Sequence, residues 1–256
     1  MNYSKSIKLL TALLLFSFTI ISCSDDPASV DEDPPEFPSF EHISPDLSYF
    51  EQDIPTESPA YFAATYANSF SYVSQLGSVY SSMFYEADRD AGNYEDGVWT
   101  WEYEYNWQGV SGSIVLKMEQ FENESHWSMT WSYSGNGQEV ENYTVVEGTL
   151  ANDNSYGSWK FNDLDQETGE HYPIMETSWE RISDTESEII TDIYEEGDSV
   201  ANYRYEQDGV EHTITMNTQN EDNNIIIYWN EETGNGYYQE GSEQRCWDAD
   251  FQDTEC

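Results

Sequence analysis

The chain has 256 residues, of which 51 are Asp or Glu and only 8 are Lys or Arg, giving a formal net charge of −43 at pH 7. This acidity excludes nucleic-acid binding, which requires a basic face, and it opposes close contact with anionic lipid headgroups. Two explanations stay open: adaptation to a salty medium that screens the self-repulsion, and the binding of cations.

The first 22 residues are predicted to be an export signal. Lys5 and Lys8 give a positive start, and residues 9–21 form a mainly apolar run. Such a run is too short to span a bilayer and is typical of the central region of a signal peptide. The segment therefore predicts a mature chain that lies outside the cytoplasm.

The signal ends at Ile20-Ile21-Ser22-Cys23, which resembles the lipobox of bacterial lipoproteins. The resemblance covers residues 1–26 and implies that Cys23 carries the lipid and becomes the first mature residue. It implies an anchor of acyl chains in the membrane, which is stable when two or more chains are present. The alternative is an ordinary secretory peptide in which this cysteine has no role.

The residues after Cys23 indicate where the anchored protein resides. Position 24 is Ser rather than the Asp that signals inner-membrane retention in enteric bacteria. The short acidic run Asp25-Asp26 resembles the surface-export signal of Bacteroidetes-type lipoproteins. We therefore expect an outer-membrane protein, with the surface and the periplasmic face both open.

Residues 23–58 are predicted to be an extended tether. They hold six of the chain's eight prolines among Asp, Glu and Ser. A proline-rich acidic sequence buries too little apolar area to offset the entropy lost on ordering. We expect it to hold a single folded domain, residues 59–256, away from the membrane.

The first ordered element is predicted to be a helix over residues 59–84. Ser58 is suited to the N-cap and Pro59 to the first helical turn, and Phe62, Tyr66 and Phe70 recur at helical spacing. No charged residue occurs between Ser58 and Tyr85, which indicates a helix covered on most of its surface. We expect it to pack across a sheet or, alternatively, to line a ligand cavity.

From residue 97 onward, the hydrophobic period changes from 3.6 to 2, which predicts β-strands with one apolar and one polar face. Ten such runs follow one another, separated by turn signals such as Asp208-Gly209. The predicted strands are 99–107, 112–121, 126–133, 139–149, 156–161, 174–182, 187–194, 199–207, 210–218 and 224–230. Their order predicts a mainly β fold: a strongly curved antiparallel meander or half-barrel of about ten strands with the uncharged helix packed on it. At the level of architecture, this resembles lipoprotein carriers that hold an acyl chain in an incomplete barrel.

Five tryptophans are the candidate ligand-binding residues because they alternate with polar residues and face one side of two predicted strands. They are Trp99, Trp101, Trp107, Trp127 and Trp131. Aromatic rings with a polar edge suit lipid, glycan and protein contacts. We predict an aromatic cup for an apolar or amphiphilic ligand; the alternative is that the rings fill a core.

The two remaining cysteines, Cys246 and Cys256, are predicted to form a disulfide because an exported protein meets an oxidising compartment. Closing so short a loop contributes about 2–3 kcal/mol.

A weak calcium candidate lies in the longest loop between predicted strands, where Asp163, Asp165 and Glu167 place oxygens at alternate positions. Thr168 replaces the glycine that an EF-hand loop requires, so the alternative is a plain acidic loop. The sequence predicts no other cofactor.

No nucleophile elbow, metal-binding histidine motif or phosphate loop is present in the sequence, so we expect no enzymatic activity. The sequence predicts a monomeric, lipid-anchored binding or scaffold module that holds an apolar ligand. The alternative is an accessory lipoprotein that binds a glycan or an envelope protein through its surface.

Overall fold

A computed structural model describes residues 33–40, 43–70, 84, 87–107, 110–135, 138–165, 168–219 and 224–256. The signal segment and Cys23 lie outside the described residues, so their assignments stay predictions. Within the described part of the chain, no helix combines the length and apolarity needed to cross a bilayer.

The described residues form fourteen β-strands in one sheet, and each strand pairs antiparallel with the next along the chain. The strands are β1 (Asn93–Glu95), β2 (Val98–Trp107), β3 (Val110–Gln120), β4 (Glu124–Gly135), β5 (Gln138–Ala151), β6 (Tyr156–Leu164), β7 (His171–Ser183), β8 (Glu186–Glu195), β9 (Asp198–Asp208), β10 (Glu211–Thr218), β11 (Ile225–Asn230), β12 (Gly236–Glu240), β13 (Glu243–Trp247) and β14 (Asp253–Thr254). Short turns join them, so the predicted mainly β antiparallel meander is confirmed.

The predicted number of strands is wrong, and of the two shapes left open, a curved sheet or a (half-)barrel, the structure shows a sheet that does not close. The ten predicted runs correspond to β2–β11, and the structure adds β1, β12, β13 and β14. These four strands have two to five residues each, which is too short for a clear alternating pattern. The strand order runs from β1 to β14 without pairing between the two ends in the described residues, so the sheet is not closed.

The two faces of the sheet differ in polarity because successive side chains in a strand point to opposite sides. In β3, for example, Leu116 and Met118 are buried whereas Lys117 and Glu119 are exposed. The side that carries Leu116 is the apolar face and contains most of the buried tryptophans. The side that carries Lys117 is the polar face.

Residues 34–40 and 43–58 do not behave as the predicted tether, because apolar residues among them pack on the apolar face. Phe40, Ile43, Tyr49 and Phe50 in this N-terminal segment are buried in the same core as the strands. The Phe40 ring stacks on Trp159 with 4.8 Å between centroids. The prolines keep the segment extended, while the apolar residues between them supply the buried area that a disordered chain lacks.

Residues 59–70 are helical and begin at the predicted cap, since the Ala60 backbone N–H donates to Ser58 Oγ at 3.1 Å. The buried side of this helix carries Ala60, Ala63, Ala67 and Phe70. Phe62, which the sequence places on the packing side, is exposed instead. The small alanines allow the helix to approach the sheet closely, and the rest of the predicted helix, apart from helical Phe84, lies outside the described residues.

Glycine lies opposite tryptophan at several places on the apolar face. Gly157 pairs with Trp179 across β6 and β7, and Gly236 pairs with Trp247 across β12 and β13. A Cβ atom at either glycine would overlap the indole ring. The missing side chain therefore gives each ring room to lie flat on the neighbouring strand.

The predicted disulfide between Cys246 and Cys256 is confirmed, with the two Cα atoms 5.2 Å apart. It joins β13 to the end of the chain. Inside the loop, Asp248 Oδ1 accepts backbone hydrogen bonds from Asp250 and Gln252 at 3.0 and 2.9 Å. The loop is thus held by a covalent bond and by local turns.

Candidate functional site

The tryptophans predicted to line a cup instead pack against the chain's own N-terminal residues. Trp99, Trp101 and Trp127 are buried, and the Phe37 ring lies edge-on to Trp101 at 5.2 Å. Phe84 approaches Trp127 at 6.0 Å. For these three tryptophans, the structure agrees with the alternative that the rings fill a core.

The other two tryptophans of the predicted cup give less information. Trp131 is partly buried against the same core, and the side chain of Trp107 lies outside the described residues. Of the five predicted residues, Trp127 also contributes to the lining of an open depression described below.

The acidic loop predicted as a calcium site uses its described carboxylates for backbone contacts. Asp163 Oδ1 accepts from the Leu164 N–H at 2.7 Å, and Asp165 Oδ1 accepts from the Thr168 N–H at 3.1 Å. Glu167 lies outside the described residues. Among the residues that the structure does describe, no group of three His, Cys, Asp or Glu side chains could hold a metal ion.

An open groove of about 750 Å³ lies on the polar side of the sheet. We use "groove" for this depression, which runs across β3–β8. Polar-face side chains on each of these strands contribute to its lining. An adjoining depression of about 560 Å³ shares Thr149, Ser158 and Ser178 with it. The polar face is therefore continuous and accessible over six strands.

The short side chains in the middle of the sheet create the groove. Ser128, Thr149, Ser158 and Ser178 follow one another on β4, β5, β6 and β7. Thr149, Ser158 and Ser178 are direct cross-strand neighbours, so their hydroxyls are spaced by about 4.8 Å. Longer charged side chains border this hydroxyl floor.

Charged side chains form a second row beside the hydroxyls. Cross-strand pairing connects Lys117, Ser128, Glu147, Lys160, Glu176 and Asp192 in that order from β3 to β8. The Lys160 ammonium lies 3.7 Å from a carboxylate oxygen of Glu147 and 3.7 Å from one of Glu176.

Lys117 differs from Lys160 because its direct cross-strand neighbours are Thr100 and Ser128. It makes no ion pair with any residue that the structure describes. The groove therefore holds one ammonium group shared by two carboxylates and a second, that of Lys117, with no ion pair among the described residues.

A cluster with three aromatic rings borders the groove along one side, near the β3–β4 and β5–β6 turns. The Tyr156 hydroxyl donates to Glu124 Oε2 at 3.0 Å, and Glu124 Oε1 lies 2.9 Å from His126 Nε2. Phe121 packs on the His126 ring at 4.5 Å. Hydrogen bonds from His126 and Tyr156 lower the pKa of Glu124, so this carboxylate stays ionised. It holds the exposed ring of Tyr156 in place.

A second tyrosine lies on the polar face near Asp192. The Tyr194 hydroxyl donates to Glu176 Oε2 at 3.1 Å. Burial and the neighbouring Glu176 carboxylate raise the pKa of Tyr194 to about 12, so the hydroxyl remains a donor at neutral pH. This hydroxyl is therefore paired with a carboxylate of the charged row.

Sequence reasoning did not identify the groove, because its residues come from seven strands, β2–β8, and converge only through strand pairing. One signal was available: after the signal segment, the whole chain has only two lysines, Lys117 and Lys160. Both lie in the groove.

No protein-family model, curated protein or solved structure matches the chain.

Proposed function

We propose that this protein is a non-enzymatic binding module, anchored to the bacterial outer membrane through lipid on Cys23, and that its ligand binds on the open polar face. The lipobox resemblance supports the anchor. One structural observation carries the binding face: the N-terminal segment covers the apolar face, while a groove of about 750 Å³ stays open on the polar face.

This proposal favours the surface-binding alternative over a carrier for an apolar ligand. A carrier needs an apolar space, and the positions beside Trp101 and Trp127 are filled by Phe37 and Phe84. The groove is open rather than enclosed, and hydroxyl, carboxylate and ammonium groups line it beside four apolar residues, Val98, Trp127, Trp159 and Ile190.

Intact-mass measurement of the protein extracted from membranes tests the anchor. We expect a chain that begins at Cys23 and carries acyl groups. The Cys23→Ser variant should keep its signal segment and gain no lipid. An unacylated mature wild-type chain would refute the anchor.

Native mass spectrometry of the full-length protein in detergent tests the binding face. We expect no apolar molecule to remain bound besides the covalent lipid. A non-covalent lipid or acyl mass that leaves only on denaturation would overturn the open-face proposal in favour of a carrier.

A further inference from the structure

We propose that the groove binds a linear, uncharged carbohydrate chain that lies across strands β3–β8. This inference rests on the proposed open-face function and names the ligand class for that face. Two observations carry it independently: the arrangement of polar groups along the groove and the exposed ring of Tyr156, which is fixed on β6 beside the hydroxyls.

The groove can recognise its ligand only through side chains. It lies in the middle of the sheet, where both neighbours of every strand are already paired. A peptide cannot add as a strand there, because strand addition needs an open sheet edge. The two edges, β1 and β14, have three and two residues and lie outside the groove.

The polar groups favour a ligand rich in hydroxyls. The groove supplies hydroxyls that both donate and accept, on Thr149, Ser158 and Ser178. The adjacent row supplies carboxylate acceptors on Glu147 and Glu176. Lys117 adds donors without a paired carboxylate among the described residues. A lipid tail would leave these groups without partners, which costs free energy.

The direction of the two rows favours an extended ligand. Both rows run perpendicular to the strands from β3 or β4 toward β7 or β8. Six strands separated by about 4.8 Å span about 24 Å, which suits several successive units of a linear polymer.

Tyr156 supplies the apolar contact that sugar rings require. Its side chain is 41% exposed, and Glu124 fixes its hydroxyl at 3.0 Å. An amphipathic ring of this kind offers one flat apolar surface beside polar groups. The ring adjoins Ser158 and Ser178 in the second depression, so stacking and hydrogen bonding can act on the same ligand.

The charge of the protein argues against acidic polymers. The chain carries a net charge of −43, and Glu119, Glu147, Glu176 and Asp192 lie within the groove. Like charges repel a polyanion at this surface. We therefore infer an uncharged chain.

Affinity electrophoresis of the full-length protein in detergent tests this inference. The gels contain laminarin, mannan, xylan or dextran as neutral probes, and alginate or polygalacturonate as acidic probes. Ser158→Trp fills the hydroxyl floor at an exposed position, and Tyr156→Ala removes the ring. Thr213→Trp and Tyr228→Ala are the matched controls; they lie on the polar face outside the groove, and Tyr228 also donates to a glutamate, Glu211, at 2.9 Å.

We expect at least one neutral polysaccharide to retard the wild type, with at least a tenfold loss of affinity in Ser158→Trp and Tyr156→Ala and less than a twofold change in the controls. Retardation only by acidic probes, retardation by none, or equal losses in groove and control variants would overturn the inference. If one of these overturning outcomes occurs while native mass spectrometry finds no apolar ligand, the open-face function stands without its carbohydrate class. A bound apolar mass would overturn both.

Discussion

At the scale of single residues, glycine opposite tryptophan allows large flat rings to cover one side of the sheet. Gly157 illustrates this, since its missing side chain gives space to the buried Trp179 ring. The polar face needs no such pairing, because its side chains extend into solvent.

Replacing Gly157 with alanine should therefore destabilise the fold. The added methyl group overlaps Trp179, and overpacking of this kind costs about 1–3 kcal/mol. Urea unfolding measures the loss. Ser158→Ala, at the exposed neighbouring position, is the control and should change stability by less than about 0.5 kcal/mol. Equal stability of the two variants would show that the ring moves aside at no cost.

His212 is a buried titratable residue on the apolar face. Its ring stacks on Trp229 with centroids 4.8 Å apart, and its Nδ1 lies 2.9 Å from the Tyr205 hydroxyl. Burial lowers the pKa of His212 more strongly than the nearby Glu231 and Asp46 carboxylates raise it. The folded state therefore keeps this imidazole neutral.

Stability should consequently fall as the pH drops below about 6.5, the ordinary pKa of histidine. In that range the unfolded chain binds a proton that the folded chain excludes, so the free energy of unfolding decreases with falling pH. NMR titration of the histidine ring protons, together with urea unfolding between pH 7.5 and 5.5, measures both effects. A His212 midpoint at or above the ordinary value would contradict this prediction.

At the scale of elements, the N-terminal segment packs on the apolar face of the sheet and acts as a second layer there. Tyr49 anchors it at the β12–β13 end: its hydroxyl donates to the Gly234 carbonyl at 2.8 Å and accepts from Trp247 Nε1 at 2.8 Å. The ring also packs on Phe251 and stacks on Trp229. These contacts join the segment to strands far along the chain.

Tyr49→Phe should keep the ring packing and remove both hydrogen bonds. The Trp247 N–H is buried and loses its partner, which costs about 1–3 kcal/mol. Urea unfolding of this variant and of Tyr156→Phe, whose hydroxyl is on the surface, separates the two cases. A loss no larger in Tyr49→Phe than in Tyr156→Phe would mean that water replaces the hydroxyl at this site.

The sequence predicts elements whose pattern is local and long. The alternation from Trp99 to Trp107 indicates β2, and Ser58 indicates the start of the helix. The N-terminal segment escapes such reasoning because Phe40 and Ile43 stand singly among prolines without a period. The groove could not be predicted for a different reason. Lys117 and Lys160 come to lie in the same cross-strand row only through the pairing of four strands.

At the scale of the whole molecule, the fold carries its excess negative charge on a broad, mostly exposed polar surface. Among the described residues, few carboxylates form an ion pair with a basic side chain. Where they do, one cation can serve two of them, as Arg204 does for Glu188 and Glu206. Most of the remaining charge acts as mutual repulsion, which destabilises a compact state. Raising the salt concentration shortens the Debye length from about 30 Å at 0.01 M to about 3 Å at 1 M.

Stability should therefore rise with NaCl over this range by about 1 kcal/mol or more, since each exposed like-charge contact costs a few tenths of a kcal/mol. Urea unfolding at a series of NaCl and CaCl₂ concentrations, compared at equal ionic strength, measures the effect. If screening is the cause, the two salts give the same increase and neither saturates at millimolar concentration. An increase that saturates at millimolar calcium, absent in NaCl, would instead indicate cation binding. No dependence on either salt would contradict the view that repulsion limits the stability of this fold.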